Sequence, residues 1–327
     1  MKQPPGKSAI AIVFPGQGSQ SVGMLAALAA RYPAVEATFA EASAALGYDL
    51  WDRVQNGPDA ELNRTDITQP AMLTAGVAVW RVWQLRDGPL PAVVAGHSLG
   101  EYSALVCAGA MSFQDAVKLV RDRGRFMQEA VPAGQGAMAA LLGLDDQAVA
   151  SVCADAAQGD VVAAVNLNAP GQVVIAGNTS AVTRAMELAK KAGAKRAIPL
   201  PVSVPSHCAL MKPAAERLAA LLRNVPIQQP LIPVVNNVDA AICEHPDAIR
   251  DALTRQLYLP VRWVEVVEHI SGTGIQTIME SGPGKVLAGL NKRIRKDMAV
   301  YPVYDPDTLD QALQGILQSQ EGADDAE

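Results

Sequence analysis

Two kinds of apolar pattern alternate along the chain. Short unbroken apolar runs at Ala9–Phe14, Pro91–Ala95, Leu231–Val235 and Gly274–Met279 predict strands buried on both faces, as in a parallel sheet. Between them, apolar residues recur at helical spacing over Met24–Leu46, with a break at Pro33. They do so again over Ala71–Leu85, which Thr68-Gln69-Pro70 opens and Arg86–Pro89 closes. Another helix opens at Ser112 with Asp115 three residues on, a capping-box-like start. From Gly136 the texture changes to strand Ala137–Leu142, helix Asp145–Ala157, strands Val161–Leu167 and Gln172–Ala176 about an Asn-Ala-Pro-Gly turn, helix Ser180–Ala192 and strand Lys195–Val202. That order, βαββαβ, is the split βαβ or ferredoxin-like arrangement. The fold predicted is α/β: a large parallel-sheet domain (1–130 and 205–327) carrying an inserted ferredoxin-like domain (131–204). A ligand belongs in the cleft between the two. Residues from about 318 onward are expected to form an acidic, disordered tail.

Within this frame Gly96-His97-Ser98-Leu99-Gly100 is a G-x-S-x-G run between a strand and a helical stretch, Glu101–Ala108. A serine hydroxyl is a weak nucleophile unless a sharp strand-to-helix turn exposes it beside a base. Flanking glycines permit such a turn, and the helix behind it points free N–H groups toward the serine. With this elbow the large domain reads as α/β-hydrolase-like; the alternative is an ordinary βα turn whose serine caps the helix. The loop Pro15–Gln20 lacks the third glycine of a dinucleotide fingerprint and the Lys-Ser/Thr of a P-loop. It reads either as a loop offering backbone amides and the Gln17 side chain to a pocket, or as a plain turn with surface glutamines.

Arg123 falls on the apolar stripe Ala116, Leu119, Val120, Met127, whereas Arg121, Asp122 and Arg125 lie to the sides. A guanidinium facing the core is costly without an anion. It is therefore either a structural ion pair or snorkelling side chain, or a pocket arginine awaiting a substrate carboxylate. Of the four histidines, His245 and His269 read as surface positions and His97 belongs to the elbow, which leaves His207, at the return junction, as the base for Ser98. No acidic residue stands out to orient it. Lys285, Lys292, Arg293, Arg295 and Lys296 form an acid-free stretch, read either as a solvated helix face or as a docking patch for an acidic partner.

Composition narrows the classes. The chain has 327 residues, 50% hydrophobic and 18% charged, which suits a packed globular protein. A formal charge of -6 argues against non-specific nucleic-acid binding. Its four cysteines show no C-x-x-C spacing, so neither a disulfide framework nor a metal site is indicated. With no apolar run long enough for a bilayer and no signal-peptide pattern, a cytoplasmic protein is expected. The absence of an obvious exposed apolar stripe favours a monomer.

Taken together the motifs resemble those of the malonyl-CoA:acyl-carrier-protein transacylases of type II fatty-acid synthesis, over nearly the full length. The matching runs are F-P-G-Q-G-S-Q (Phe14–Gln20), Q-P-A (Gln69–Ala71), G-H-S-L-G-E-Y (Gly96–Tyr102) and Arg123-Gly124. V-N-L-N-A-P-G-Q-V-V-I-A-G (Val165–Gly177), P-V-S-V-P-S-H-C (Pro201–Cys208), P-V-V-N-N-V (Pro233–Val238), R-Q-L-Y (Arg255–Tyr258) and G-P-G-K-V-L (Gly282–Leu287) follow in order. The resemblance implies that Ser98 is acylated, that His207 is the base, and that the Gln256 main-chain carbonyl orients it, which accounts for the missing acid. It implies an oxyanion hole at Gln17 and the Leu99 N–H, and Arg123 as ligand of the malonyl carboxylate. His97, Asn166 and Asn168 become substrate-binding positions, though the two asparagines could equally only shape the cleft. Lys285, Lys292 and Arg293 become carrier-docking residues. The implied substrates are malonyl-CoA and the phosphopantetheine thiol of acyl carrier protein, with no permanently bound cofactor. Rival readings are an acyltransferase for a polyketide-synthase carrier, an acyl hydrolase with the same dyad, and a non-catalytic binding protein. A hydrolase has no use for the arginine, and an intact Ser98/His207 pair argues against the last.

Overall fold

β1 (Ile10–Phe14) is buried from end to end, with Ile10, Ile12 and Phe14 in one apolar cluster and Ala11 and Val13 in another. This is the strand period of two, read on a sheet covered on both faces. The computed structural model describes residues 9–202 and 204–324. β1 lies at the centre of a sheet whose other members are β2 (Val93–Gly96), β7 (Val234–Val235), β8 (Thr277–Ser281) and β9 (Ala299–Val303), ordered β7-β2-β1-β8-β9. All neighbours are parallel, and Phe14 pairs with Gly96, so β1 and β2 end level. Ligands of open α/β sheets bind at that carboxyl edge.

The inserted sheet comprises β3 (Gly136–Leu142), β4 (Val162–Ala169), β5 (Gln172–Asn178) and β6 (Arg196–Pro199), ordered β4-β5-β3-β6 and antiparallel throughout. Helices Asp146–Ala157 and Thr179–Lys191 cover one face, giving the ferredoxin-like arrangement. Its other face meets the larger domain through Met138, Val165, Val174, Ala176 and Cys208. The backbone joins the two as well, since Val261 accepts from Leu167 N–H (2.9 Å) and donates to the Val165 carbonyl (2.8 Å).

Several elements differ from the sequence reading. The helix expected from Ala71 is Thr65–Leu85, with Pro70 inside it rather than in its first turn. In the turn before Pro70 the Thr68 hydroxyl donates to the carbonyls of Leu62 (2.5 Å) and Arg64 (2.9 Å). β7 keeps only two residues of Leu231–Val235, and β9 was not foreseen. Helix Pro306–Asp324 enters the stretch expected to be an acidic tail, whose last residues, 325–327, lie outside the described residues. Ser112 caps helix Phe113–Ala130 as expected, accepting from Asp115 N–H. No described helix is long and apolar enough to cross a membrane.

Candidate active site

The elbow is a steric fact of its two glycines. A Cβ on Gly96 would lie 1.9 Å from the Gly100 carbonyl carbon, and one on Gly100 would lie 2.0 Å from the Phe14 oxygen. Only without side chains can β2 turn into helix Gly100–Cys107 this tightly against β1. Ser98 takes the strain, with φ of 51°, a left-handed conformation unusual for serine. Asn237, just beyond β7, clamps the turn from both sides: Oδ1 accepts from Ser98 N–H and Nδ2 donates to the Gly96 carbonyl, both at 2.6 Å. Among the described residues no acceptor takes the N–H of Leu99 or of Gln17.

Ser98 Oγ stands 2.8 Å from His207 Nε2. His207 Nδ1 lies 2.6 Å from the Gln256 main-chain oxygen, which can only accept. That contact puts the proton on Nδ1 and leaves Nε2 free to accept from the serine. Burial, and next the positive charge of Arg123, push the His207 pKa down to about 3, against the pull of the Gln256 carbonyl. The ring is therefore neutral, the form a general base needs.

Gln256 ends helix Pro246–Gln256 and is fully buried. Its Nε2 donates to the Ser98 carbonyl (3.0 Å) and to Glu101 Oε2 (2.8 Å), while its Oε1 accepts from Arg123 Nη2 (3.0 Å). Arg123, only 1% exposed, also donates through Nη1 to Gln69 Oε1 (2.8 Å) and lies 3.3 Å from Ser98 Oγ through Nη2. Its Nε has no partner, and among the described residues no carboxylate forms an ion pair with it. Its direct side-chain hydrogen-bond acceptors are neutral oxygens, and the Tyr102 ring centre lies 5.5 Å from the guanidinium carbon. Burial lowers the Arg123 pKa, opposed by the neighbouring Tyr102 side chain and by Glu101.

A cavity of about 110 Å³ opens beside this group, lined by Gln17, His97, Ser98, Arg123, Asn166 and His207, with Met127, Met138 and Val202 on its apolar side. His97 Nε2 contacts Asn168 Oδ1 at 2.8 Å, and its ring tilts against Trp263. Asn166 sits at an irregularity of β4, with a buried Oδ1 that has no partner among the described residues.

Residues 11–324 match the acyl transferase domain family. The malonyl CoA-acyl carrier protein transacylase of Escherichia coli K12 is 61% identical over 304 residues, spanning 93% of this chain and 98% of that protein. The chain belongs to this family. It is an acyltransferase. The crystal structure of an acyl carrier protein S-malonyltransferase from Vibrio cholerae, 62% identical, superposes with a TM-score of 0.90 over 92% of this chain and 99% of that one. A malonyl-transacylase solved in complex with its type II PKS acyl-carrier protein is 57% identical, with a TM-score of 0.93 over 94% and 99% of the two chains.

In this transacylase Ser98, Leu99, Arg123, His207, Gln17, His97 and Asn166 gather around one cavity, with Gln256 behind Arg123 and His207 and Asn168 behind His97. Lys285, Lys292 and Arg293 lie elsewhere, exposed around helix Val286–Ile294, with Arg293 donating to Gln172 Oε1 across the seam between domains. Arg295 is tied to Glu268 and Asp297, so it is not the free cation its acid-free stretch suggested. Gln69, Glu101 and Asn237 were assigned no role from sequence. Their signal was a polar residue in an otherwise apolar or tightly turned segment, most clearly Glu101 in the helix G-E-Y-S-A-L-V-C.

Proposed function

We propose that this transacylase moves a malonyl group from malonyl-CoA to the phosphopantetheine thiol of acyl carrier protein, supplying fatty-acid synthesis, through a malonyl ester on Ser98. The observation that carries the reading is a buried guanidinium, with no ion pair among the described residues, 3.3 Å from the nucleophilic oxygen. It is placed to receive the free carboxylate of a short dicarboxylic acyl group. Ser98 Oγ attacks the thioester carbonyl while His207 Nε2 takes its proton. The Leu99 N–H and Gln17 hold the oxyanion. The C–S bond breaks, and CoA leaves as a thiol with the proton from His207. The carrier thiol then gives its proton to His207 and attacks the Ser98 ester, and Ser98 Oγ regains the proton as malonyl-carrier departs. Asn166 and His97 line the path of the acyl chain, and Asn168 holds the His97 ring from behind. The inserted domain, residues 131–204, forms the opposite wall, and Lys285, Lys292 and Arg293 receive the acidic carrier.

Intact mass spectrometry after mixing with malonyl-CoA tests this directly. One malonyl mass on the peptide carrying Ser98, discharged by carrier protein, is the expected result. No adduct, or discharge to free malonate at the same rate with and without carrier, overturns it.

A further inference from the structure

Glu101 is buried, yet the steps above do not use it. It lies one helical residue beyond the elbow glycine, and its Oε2 accepts from Asn237 N–H (2.9 Å) and from Gln256 Nε2 (2.8 Å). The Gln256 amide is nearly symmetric in shape, so its neighbours decide which way its oxygen points. On one side stands a donor, Arg123 Nη2; on the other stand acceptors, the Ser98 carbonyl and Glu101 Oε2. Reversing the amide would set its NH₂ against the guanidinium and its oxygen against a carboxylate, all of it buried, where unmatched polar groups are costly.

We propose that Glu101 is a positioning residue for acyl-group selection: by holding the Gln256 NH₂ it turns the Gln256 oxygen to Arg123 and aims the guanidinium at the cavity. The proposal rests on the malonyl-transfer reading and extends it from the arginine to the carboxylate that sets the arginine's direction. The chain of contacts is Glu101 to the Gln256 amide to Arg123, whereas His207 is oriented by the main-chain oxygen of the same Gln256, which amide rotation leaves in place. Loss of Glu101 therefore separates selection of the acyl group from the power to acylate Ser98.

The experiment compares kcat/KM for malonyl-CoA and acetyl-CoA in wild type, Glu101→Met and Glu101→Gln, with carrier protein as acceptor. Methionine keeps the volume and removes the acceptor. Glutamine keeps an oxygen able to take both N–H groups. Glu101→Met is expected to lower the malonyl-to-acetyl ratio about tenfold or more, as expected when a buried polar partner is lost. Glu101→Gln is expected to restore the ratio to within about threefold of wild type, less than one hydrogen bond's worth. A parallel fall for both substrates, an unchanged ratio in Glu101→Met, or a failure of Glu101→Gln to restore it overturns the proposal. Should Glu101→Met not fold, Gln256→Met breaks the same chain one link further on, and an unchanged ratio there overturns it equally. Wild-type acylation of Ser98 by malonyl-CoA is measured alongside: its absence refutes malonyl transfer itself, while its presence with an unchanged variant ratio refutes only the role of Glu101.

Discussion

Replacing Arg123 with glutamine tests the site at its most costly residue. The guanidinium is held by Gln69 Oε1 and Gln256 Oε1 and retains an unpartnered Nε. An incoming malonyl carboxylate would add charge-assisted hydrogen bonds to this buried guanidinium, each contributing about 1.5–3 kcal/mol. Two such bonds stabilise the malonyl transition state by about 3–6 kcal/mol, which at about 1.4 kcal/mol per tenfold is about 10²- to 10⁴-fold in kcat/KM. An acetyl group makes neither bond, so Arg123→Gln is expected to change acetyl transfer less than about tenfold. Arg123→Lys falls between, because one ammonium cannot hold both amide oxygens and a carboxylate in one plane. The assay is steady-state transfer of each acyl group from CoA to carrier protein, with a thermal melt to show that the variants are folded. Equal losses for malonyl and acetyl groups would refute the reasoning, since Arg123 would then act on the nucleophile or the fold and not on the carboxylate.

Other outcomes follow from the same geometry. The His207 ring is neutral down to about 3, so an NMR titration of its Cε1–H between roughly pH 5 and 8 is expected to show no protonation step. Because this pKa lies below the unfolded value of about 6.5, the stability His207 confers is complete above that pH and declines as pH falls toward the folded value, which a pH series of thermal melts checks. Charge reversal of Lys292 and Arg293 is expected to raise KM for the carrier protein more than for malonyl-CoA, most clearly at low salt; an unchanged carrier KM would mark them as an ordinary solvated helix end. Gly100→Ala forces a Cβ to 2.0 Å from the Phe14 oxygen, so it is expected to cost about 1–3 kcal/mol in stability or more and to abolish Ser98 acylation, read by melt and mass spectrometry.

What the sequence made legible was local. The elbow is five contiguous residues whose glycines answer a steric demand, and the βαββαβ order is written in periodicity that changes at Gly136. Pro70 pointed to a helix start because prolines favour first turns, but the helix already begins at Thr65, five residues before it. β9 escaped notice because it is a five-residue edge strand holding Pro302, which a sheet tolerates at its edge. The polar network under the nucleophile was illegible for another reason: Gln256 reaches a carbonyl 158 residues away, and Gln69 reaches Arg123 across 54. Periodicity flags such residues as misplaced on their own elements but does not say what they meet. Arg123 shows the limit well, since its burial could be read from its helix and its partners could not.

Those partners explain why a buried cation and a buried anion coexist here without pairing. Glu101 sits close enough to Arg123 for the two charges to act on each other, yet the Gln256 amide stands between them, oxygen to the cation and nitrogen to the anion. Burial raises the Glu101 pKa to about 7 even though two N–H donors, from Gln256 and Asn237, work against it. A direct bidentate pair would have relieved both groups and closed the guanidinium to any other carboxylate. The interposed amide gives up part of that relief and keeps the arginine open on its cavity side. The resulting cost is carried by the empty enzyme, and under the proposed role of Arg123 it would be recovered by an acyl group bearing its own negative charge. An uncharged acyl group of similar size would leave it unrecovered, so the proposal places selectivity in the electrostatics of the resting site as much as in contacts made on binding.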